Sequence, residues 1–213
     1  APVKFWDGTE IPNERFFFWM FGESGETLGE RFPRVASWDL REVTTPALLG
    51  IAYEQIEEHI YVEPNRDYRS TFFQSFFELN KRHHYDVWLD LHQTEFVNSE
   101  YNTEVHLPVG QNDLSSELQA KHRSLGKALH RRWREAGGVP REEPKESYVT
   151  NEVQRNYLNK VWLPISKRMV HLVTEVQNNN LRTPVPMQVY LQGVAILETL
   201  DWMAREAFFF YIN

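Results

Sequence analysis

Cysteine is absent from the 213-residue sequence. Without thiols there is neither a disulfide framework nor a thiolate metal site, so any metal must be held by His, Asp or Glu. Basic residues are in deficit, with 23 Lys and Arg against 30 Asp and Glu and a net charge of -7. Such a chain offers no basic face to a phosphate backbone, and nucleic acid is not an expected partner. Long apolar runs are lacking too: none approaches the roughly 20 residues of a membrane span, and no signal-peptide pattern opens the chain. No membrane partner is expected. The missing cysteines leave the compartment of a soluble chain open, cytoplasmic or secreted, and the pattern fixes no oligomeric state.

Aromatic residues are abundant, with 14 Phe, 9 Tyr and 7 Trp, and hydrophobic residues reach 41%. That composition argues for a well-filled interior, and the length suits one domain, residues 1–213. The opening "KFWDGTEIPNERFFFWMFG" predicts a short strand, a turn around Asp7-Gly8 and a second strand through Phe21. Thr45-Pro46 reads as a cap and first position of a helix "PALLGIAYEQIEEH", followed by the brief strand "IYVEP". Ser70 caps a helix "TFFQSFFELNKRHH", and "YDVWLDLH" has the apolar run of a buried strand. The stretch "QTEFVNSEYNTEVHLPVGQN" reads as a long loop. An amphipathic helix is expected over residues 113–136, stopped by Gly137-Gly138, then a loop-like segment to Trp162. "RMVHLVTEV" predicts a further buried strand, and a last helix is expected over 186–208. Strands alternating with helices imply an α/β fold, a mostly parallel mixed sheet with helices on both faces.

Ligands of such sheets sit at the carboxyl ends of the strands, and polar groups stand at four predicted ends. "GESGETLG" carries two carboxylates, Glu23 and Glu26, three residues apart. In "EPNRDY", Asn65 and Arg66 offer a planar fork with an amide beside it, suited to a carboxylate, or else a turn with a surface ion pair. In "DVWLDLHQTEF", His92 emerges from an apolar strand as a metal ligand or a backbone-bonded core histidine. Glu175 in "HLVTEVQ" is a carboxylate in an apolar strand, a general base or half of a buried ion pair. His106 reads as a surface residue of the long loop, His83 and His84 as helix-end residues, and His122, His130 and His171 as structural. Glu198 reads as a packing-edge position.

"GESGETLG", "EPNRDY", "DLHQ" and "LVTEV", in this order, resemble the zinc carboxypeptidases of the carboxypeptidase A type, and more loosely the aspartoacylase and succinylglutamate desuccinylase group. The resemblance runs from Phe16 onward. It implies a single carboxypeptidase-like catalytic domain, shortened at the N-terminus, with Zn2+ or another divalent metal held by Glu23, Glu26 and His92. It further implies Glu175 as the base that activates water, Asn65 and Arg66 as the pair that grips the substrate's terminal carboxylate and polarises the scissile carbonyl, with Arg66 catalytic, and Glu63 as the acid that orients the first ligand. Tyr157 resembles the family's mobile substrate-binding tyrosine, with Tyr148 competing, and Arg34 and Arg41 are candidates by order for a further substrate-binding arginine. Where the family has His, this chain has Glu23, and a second carboxylate shifts preference toward harder ions and makes bound water less acidic. The implied function is a metallocarboxypeptidase-like hydrolase acting on a peptide. Its alternatives are a relative that binds a peptide or carboxylate ligand without cutting it, and an amidohydrolase acting on an N-acyl amino acid.

Overall fold

The computed structural model describes residues 3–4, 10–11, 37–39, 41, 54–62, 64, 67–94, 99–147, 155–156, 158–178 and 182–206. In chain order they form β1 (Val3–Lys4), β2 (Glu10–Ile11), β3 (Ser37–Asp39), β4 (Glu54–Gln55), β5 (Ile60–Val62), α1 (Thr71–Arg82), β6 (Val87–Thr94), β7 (Thr103–Leu107), α2 (Ser116–Glu135), β8 (Lys145–Glu146), α3 (Leu163–Ser166), β9 (Val170–Gln177) and α4 (Val185–Arg205). A π-helical turn, Leu158–Trp162, leads directly into α3.

The chain is α/β, built on a four-stranded mixed sheet in the order β6-β9-β7-β8. β6 pairs with β9 in parallel, β7 with β9 antiparallel, and β7 with β8 in parallel. A small antiparallel sheet, β3-β5-β4, and the hairpin β1-β2 accompany it. The pairing of β1 with β2 agrees with an opening strand followed by a second one; the expected turn at Asp7-Gly8 and the continuation of the second strand to Phe21 lie outside the described residues, as do Glu23, Glu26, Arg34 and Thr45-Pro46.

Three expectations are corrected. The helix predicted to run to His59 is replaced from Glu54 onward by β4 and a turn, and Glu54 instead accepts the backbone N–H of Thr71 at 3.0 Å, capping α1 from outside. The predicted long loop contains β7, every residue of which is buried, and Gln93 and Thr94 still belong to β6. The loop-like segment to Trp162 holds β8 and the π-helical turn.

Elsewhere the local signals hold. Ser70 Oγ accepts from the Phe73 N–H at 3.3 Å, and Lys81 and Arg82 close the last turn of α1. α2 starts later than the expected residue 113, with Ser115 as its cap through the Leu118 N–H at 3.2 Å. Gly137, at φ 85°, ends α2, and the Gly138 N–H returns to the Trp133 carbonyl at 2.7 Å. The last helix spans Val185–Arg205, with Pro186 in its first turn.

Helices cover both faces of the sheet. On one side α2 and α4 bury Leu125, Leu129, Trp133, Leu191 and Trp202 against Val105, Leu107, Leu172 and Val176. Trp133 is fully buried, and its indole N–H reaches the Leu191 carbonyl at 2.8 Å, tying α2 to α4. Glu198, expected at a packing edge, is also buried between these helices and takes Arg205 at 2.7 Å and Arg131 at 3.3 Å. On the other side α1 and the π-helical turn stack Phe73, Phe76 and Trp162 around Trp88, and Trp162 lies flat on His171 with ring centroids 4.4 Å apart. Trp88 and His171 are register partners at the first half of β6 and β9. The aromatic layer therefore ends where the polar half of this face begins.

Candidate active site

Side chains alternate between faces along a strand. The face that starts with Trp88 on β6 continues through Asp90, His92 and Thr94; on β9 it continues from His171 through Val173 and Glu175 to Gln177. His92 and Glu175 are direct partners in the β6–β9 ladder, and Glu175 is in turn partnered by Glu104 in the β7–β9 ladder. One row across three strands thus reads His92, Glu175, Glu104. The row beneath it reads Asp90, Val173, His106, with Lys145 of β8 at its end. This row lies near the carboxyl ends of the parallel pair, where open α/β sheets bind ligands.

Asp90 is buried, and its Oδ2 lies 3.0 Å from His92 Nε2, across a part-exposed ring. A carboxylate on one ring nitrogen fixes the tautomer and orientation of the imidazole and raises its basicity as a ligand. The sequence signal for Asp90 is the Asp-x-His spacing, which puts both side chains on one face of the strand. The Asp90–His92 pair fits a metal-ligating histidine that coordinates through Nδ1. Among the described residues no group of three His, Asp or Glu comes together to hold an ion, so a complete ligand set would draw on residues such as Glu23 and Glu26.

Glu104 is the second feature that sequence reasoning missed. Its buried carboxylate receives Arg141 Nε on Oε1 at 2.8 Å and, on Oε2, Lys145 Nζ at 2.7 Å and His106 Nε2 at 3.2 Å. Burial alone would raise this carboxyl, but the hydrogen bonds from His106 and Lys145 and the charges of Lys145 and Arg141 outweigh it and hold it down at about 2. His106, expected on the surface, is buried in this cluster. The strict alternation of Thr103-Glu104-Val105-His106-Leu107 was a legible strand signal. Its polar positions find their partners nearly forty residues away, which no local pattern announces.

The buried histidines support the sheet, as expected for structural residues. His130 Nε2 accepts the Val105 N–H at 3.2 Å, and His122 Nε2 accepts the His171 N–H at 3.0 Å while its Nδ1–H donates to the Leu118 carbonyl at 2.6 Å. His171 donates from Nδ1 to Ser166 Oγ at 3.1 Å, since the Ser166 hydroxyl proton is used on the Trp162 carbonyl at 2.9 Å. Burial pushes His171 down to about 3 and His130 to about 4, and lowers His122 as well.

Of the residues expected in the site, the structure brings His92 and Glu175 together. Glu23, Glu26, Glu63, Asn65, Arg66, Tyr148 and Tyr157 lie outside the described residues. Arg41 is exposed in a turn. No helix among the described residues is long and apolar enough to cross a membrane. Compared with protein-family models, with curated proteins and with solved structures, the chain matches none of them.

Proposed function

We propose that the protein is a metal-dependent hydrolase of the carboxypeptidase kind, releasing a C-terminal amino acid or cleaving a similar amide. The observation that carries this reading is the pairing of His92 with Glu175 across adjacent parallel strands, with Asp90 holding the histidine ring from behind. A ligand imidazole and a candidate base then stand one strand spacing apart, roughly 5 Å. That separation lets both act on one water and one carbonyl.

His92, with Glu23 and Glu26, would hold the metal. The chemistry that a divalent ion, zinc foremost, supplies when bound there is Lewis-acid polarisation of the scissile carbonyl and a lowered pKa for water. Glu175 takes the proton of the attacking water and returns it to the leaving nitrogen. Asp90 keeps the imidazole in one tautomer through both steps. Asn65 and Arg66 hold the terminal carboxylate of the substrate, and Tyr157 closes over it, as the resemblance to the carboxypeptidases implies. A peptide and an N-acyl amino acid both present the required amide beside a carboxylate.

The test is metal titration together with hydrolysis of a panel of blocked dipeptides and N-acyl amino acids, run on the wild type and on Glu175→Gln. About one metal per chain is expected, with turnover that falls about 10²- to 10⁴-fold in Glu175→Gln while the metal is kept. A protein that binds the panel but takes up neither zinc nor manganese and hydrolyses nothing is instead a binding relative.

A further inference from the structure

The last helix, α4, is apolar on two sides. Its inward side packs Leu191, Ala195 and Trp202 into the layer shared with α2. Its outward side carries Val185, Val189, Tyr190, Ile196, Leu197 and Leu200, each between 43% and 69% exposed. At about 100° per residue these positions fall in one stripe of the helix surface. Among the described residues no exposed charge interrupts that stripe between Arg182 and Asp201, because Glu198 is turned inward. A helix that is apolar all round is one covered on both sides. Since α4 lies on the sheet face opposite the row of His92, Glu175 and Glu104, the stripe belongs to a different surface from the candidate site.

Two features say what covers it. The first is extent: the exposed fractions of these side chains correspond to roughly 600 Å², at the upper end for a patch on a monomer and about three quarters of what each partner contributes to a stable interface. The second is Gly193, at the midpoint of the stripe. A Cβ at this position would meet nothing within 4 Å among the described residues, so nothing within the protomer calls for a residue that costs a helix about 1 kcal/mol relative to Ala. A missing side chain at a crossing point lets two helix backbones approach closely.

We propose that this stripe is the interface of a homodimer, in which α4 packs antiparallel on α4 of a second copy about a two-fold axis passing Gly193. That axis sets Val189 against the partner's Leu197 and Tyr190 against the partner's Ile196, and each contact occurs twice. The ends of the helix select the antiparallel arrangement. Exposed Arg182 precedes α4, whereas exposed Asp201 and Glu206 close it, with Arg205 held by Glu198 at 2.7 Å. Opposite charges then meet at each rim when the helices run against one another, and like charges when they run together. The two helix dipoles favour the same choice. Rim charges of both signs also distinguish this surface from a membrane-binding helix, whose apolar stripe is flanked by Lys and Arg.

The experiment is sedimentation velocity across a wide range of protein concentration, on the wild type and on Val189→Lys and Leu197→Glu, singly and mixed. The wild type is expected to dimerise with a dissociation constant in the micromolar range or below. Each variant places an unpaired charge in the stripe twice and is expected to weaken association at least about 100-fold. Mixed in equal amounts they are expected to form a heterodimer, because the introduced lysine faces the introduced glutamate on one side of the axis while the wild-type pair survives on the other. Both positions are about two-thirds exposed, at 69% and 64%, and recovery of the dimer on mixing itself shows that both variants fold. A variant that dimerises as tightly as the wild type, or a mixture that stays monomeric although both far-ultraviolet spectra are native, overturns the proposal. So does a monomeric wild type; the stripe then serves a lipid surface if the protein sediments with anionic vesicles, and another part of the chain if it does not.

Discussion

Asp90 and His92 stand two residues apart on β6, with the carboxylate 3.0 Å from Nε2 of the ring. On the proposed hydrolase reading His92 would ligate through Nδ1, and Asp90 would be the residue that aims the imidazole. Asp90→Asn retains the shape of the side chain and removes its charge. Metal affinity is expected to fall about 10- to 100-fold, measured by competition with a chromogenic chelator. An unchanged affinity removes His92 from the ligand set.

Stability depends on pH first through the buried histidines. His171, His130 and His122 are held below their ordinary value of 6.5 by burial, so the unfolded chain binds protons that the folded chain refuses. The contribution of His171 and His130 is complete above about pH 6.5 and is lost as the pH falls toward 3 to 4, with a slope of about 1.4 kcal/mol per pH unit for each of the two, and His122 acts in the same direction. Urea unfolding between pH 7 and 5 should show this decline. His171→Phe, which keeps a ring on Trp162, should make it shallower; a flat profile in the wild type contradicts the burial of these rings.

Glu104 acts in a lower window. Its carboxyl sits at about 2 instead of 4.5, so its contribution is complete above about pH 4.5 and disappears as the pH falls through 2. The difference corresponds to at most roughly 3 kcal/mol. Glu104→Gln should therefore lower stability at pH 7 and flatten the acid limb of the unfolding profile below pH 4.5. A variant as stable as the wild type at pH 7 would show that Arg141 and Lys145 do not depend on this carboxylate.

Gly126 lies in the middle of α2, and a Cβ at this position would meet Cγ of Pro144 at 2.9 Å and Cβ of the same ring at 3.2 Å. Ala gains about 1 kcal/mol in helix propensity over Gly, but a proline ring cannot swing aside, and overpacking costs about 1 to 3 kcal/mol. Gly126→Ala is thus expected to lower the unfolding midpoint. A raised midpoint would mean that the segment moves freely away from the helix.

The sequence signals that proved reliable are those whose cause is local. Ser70 caps the helix that follows it, Gly137 ends α2 at a positive φ, and the apolar runs of β6 and β9 form buried strands. His92 and Glu175 were legible as strand-end residues because the α/β pattern orients such ends toward ligands. What escaped notice depends on partners far along the chain. Glu104 and His106 look solvent-seeking until Arg141 and Lys145 arrive beside them. Residues 54–55 follow a helical pattern, yet pairing with β5 draws them into a strand. The register that makes His92, Glu175 and Glu104 neighbours is set by strand pairing, and strand pairing is not written within any one segment.

Because β7 runs against β9, it is the beginning of β7 that lies beside the finishing ends of β6 and β9. The connection from α2 to β8 delivers Arg141 and Lys145 to that edge, and Pro144 within it packs against Gly126 of α2. One short stretch of chain thus both seats a helix and neutralises a buried carboxylate. A descendant that exchanged these two cations for neutral or acidic residues would have to give up the charge of Glu104 with them.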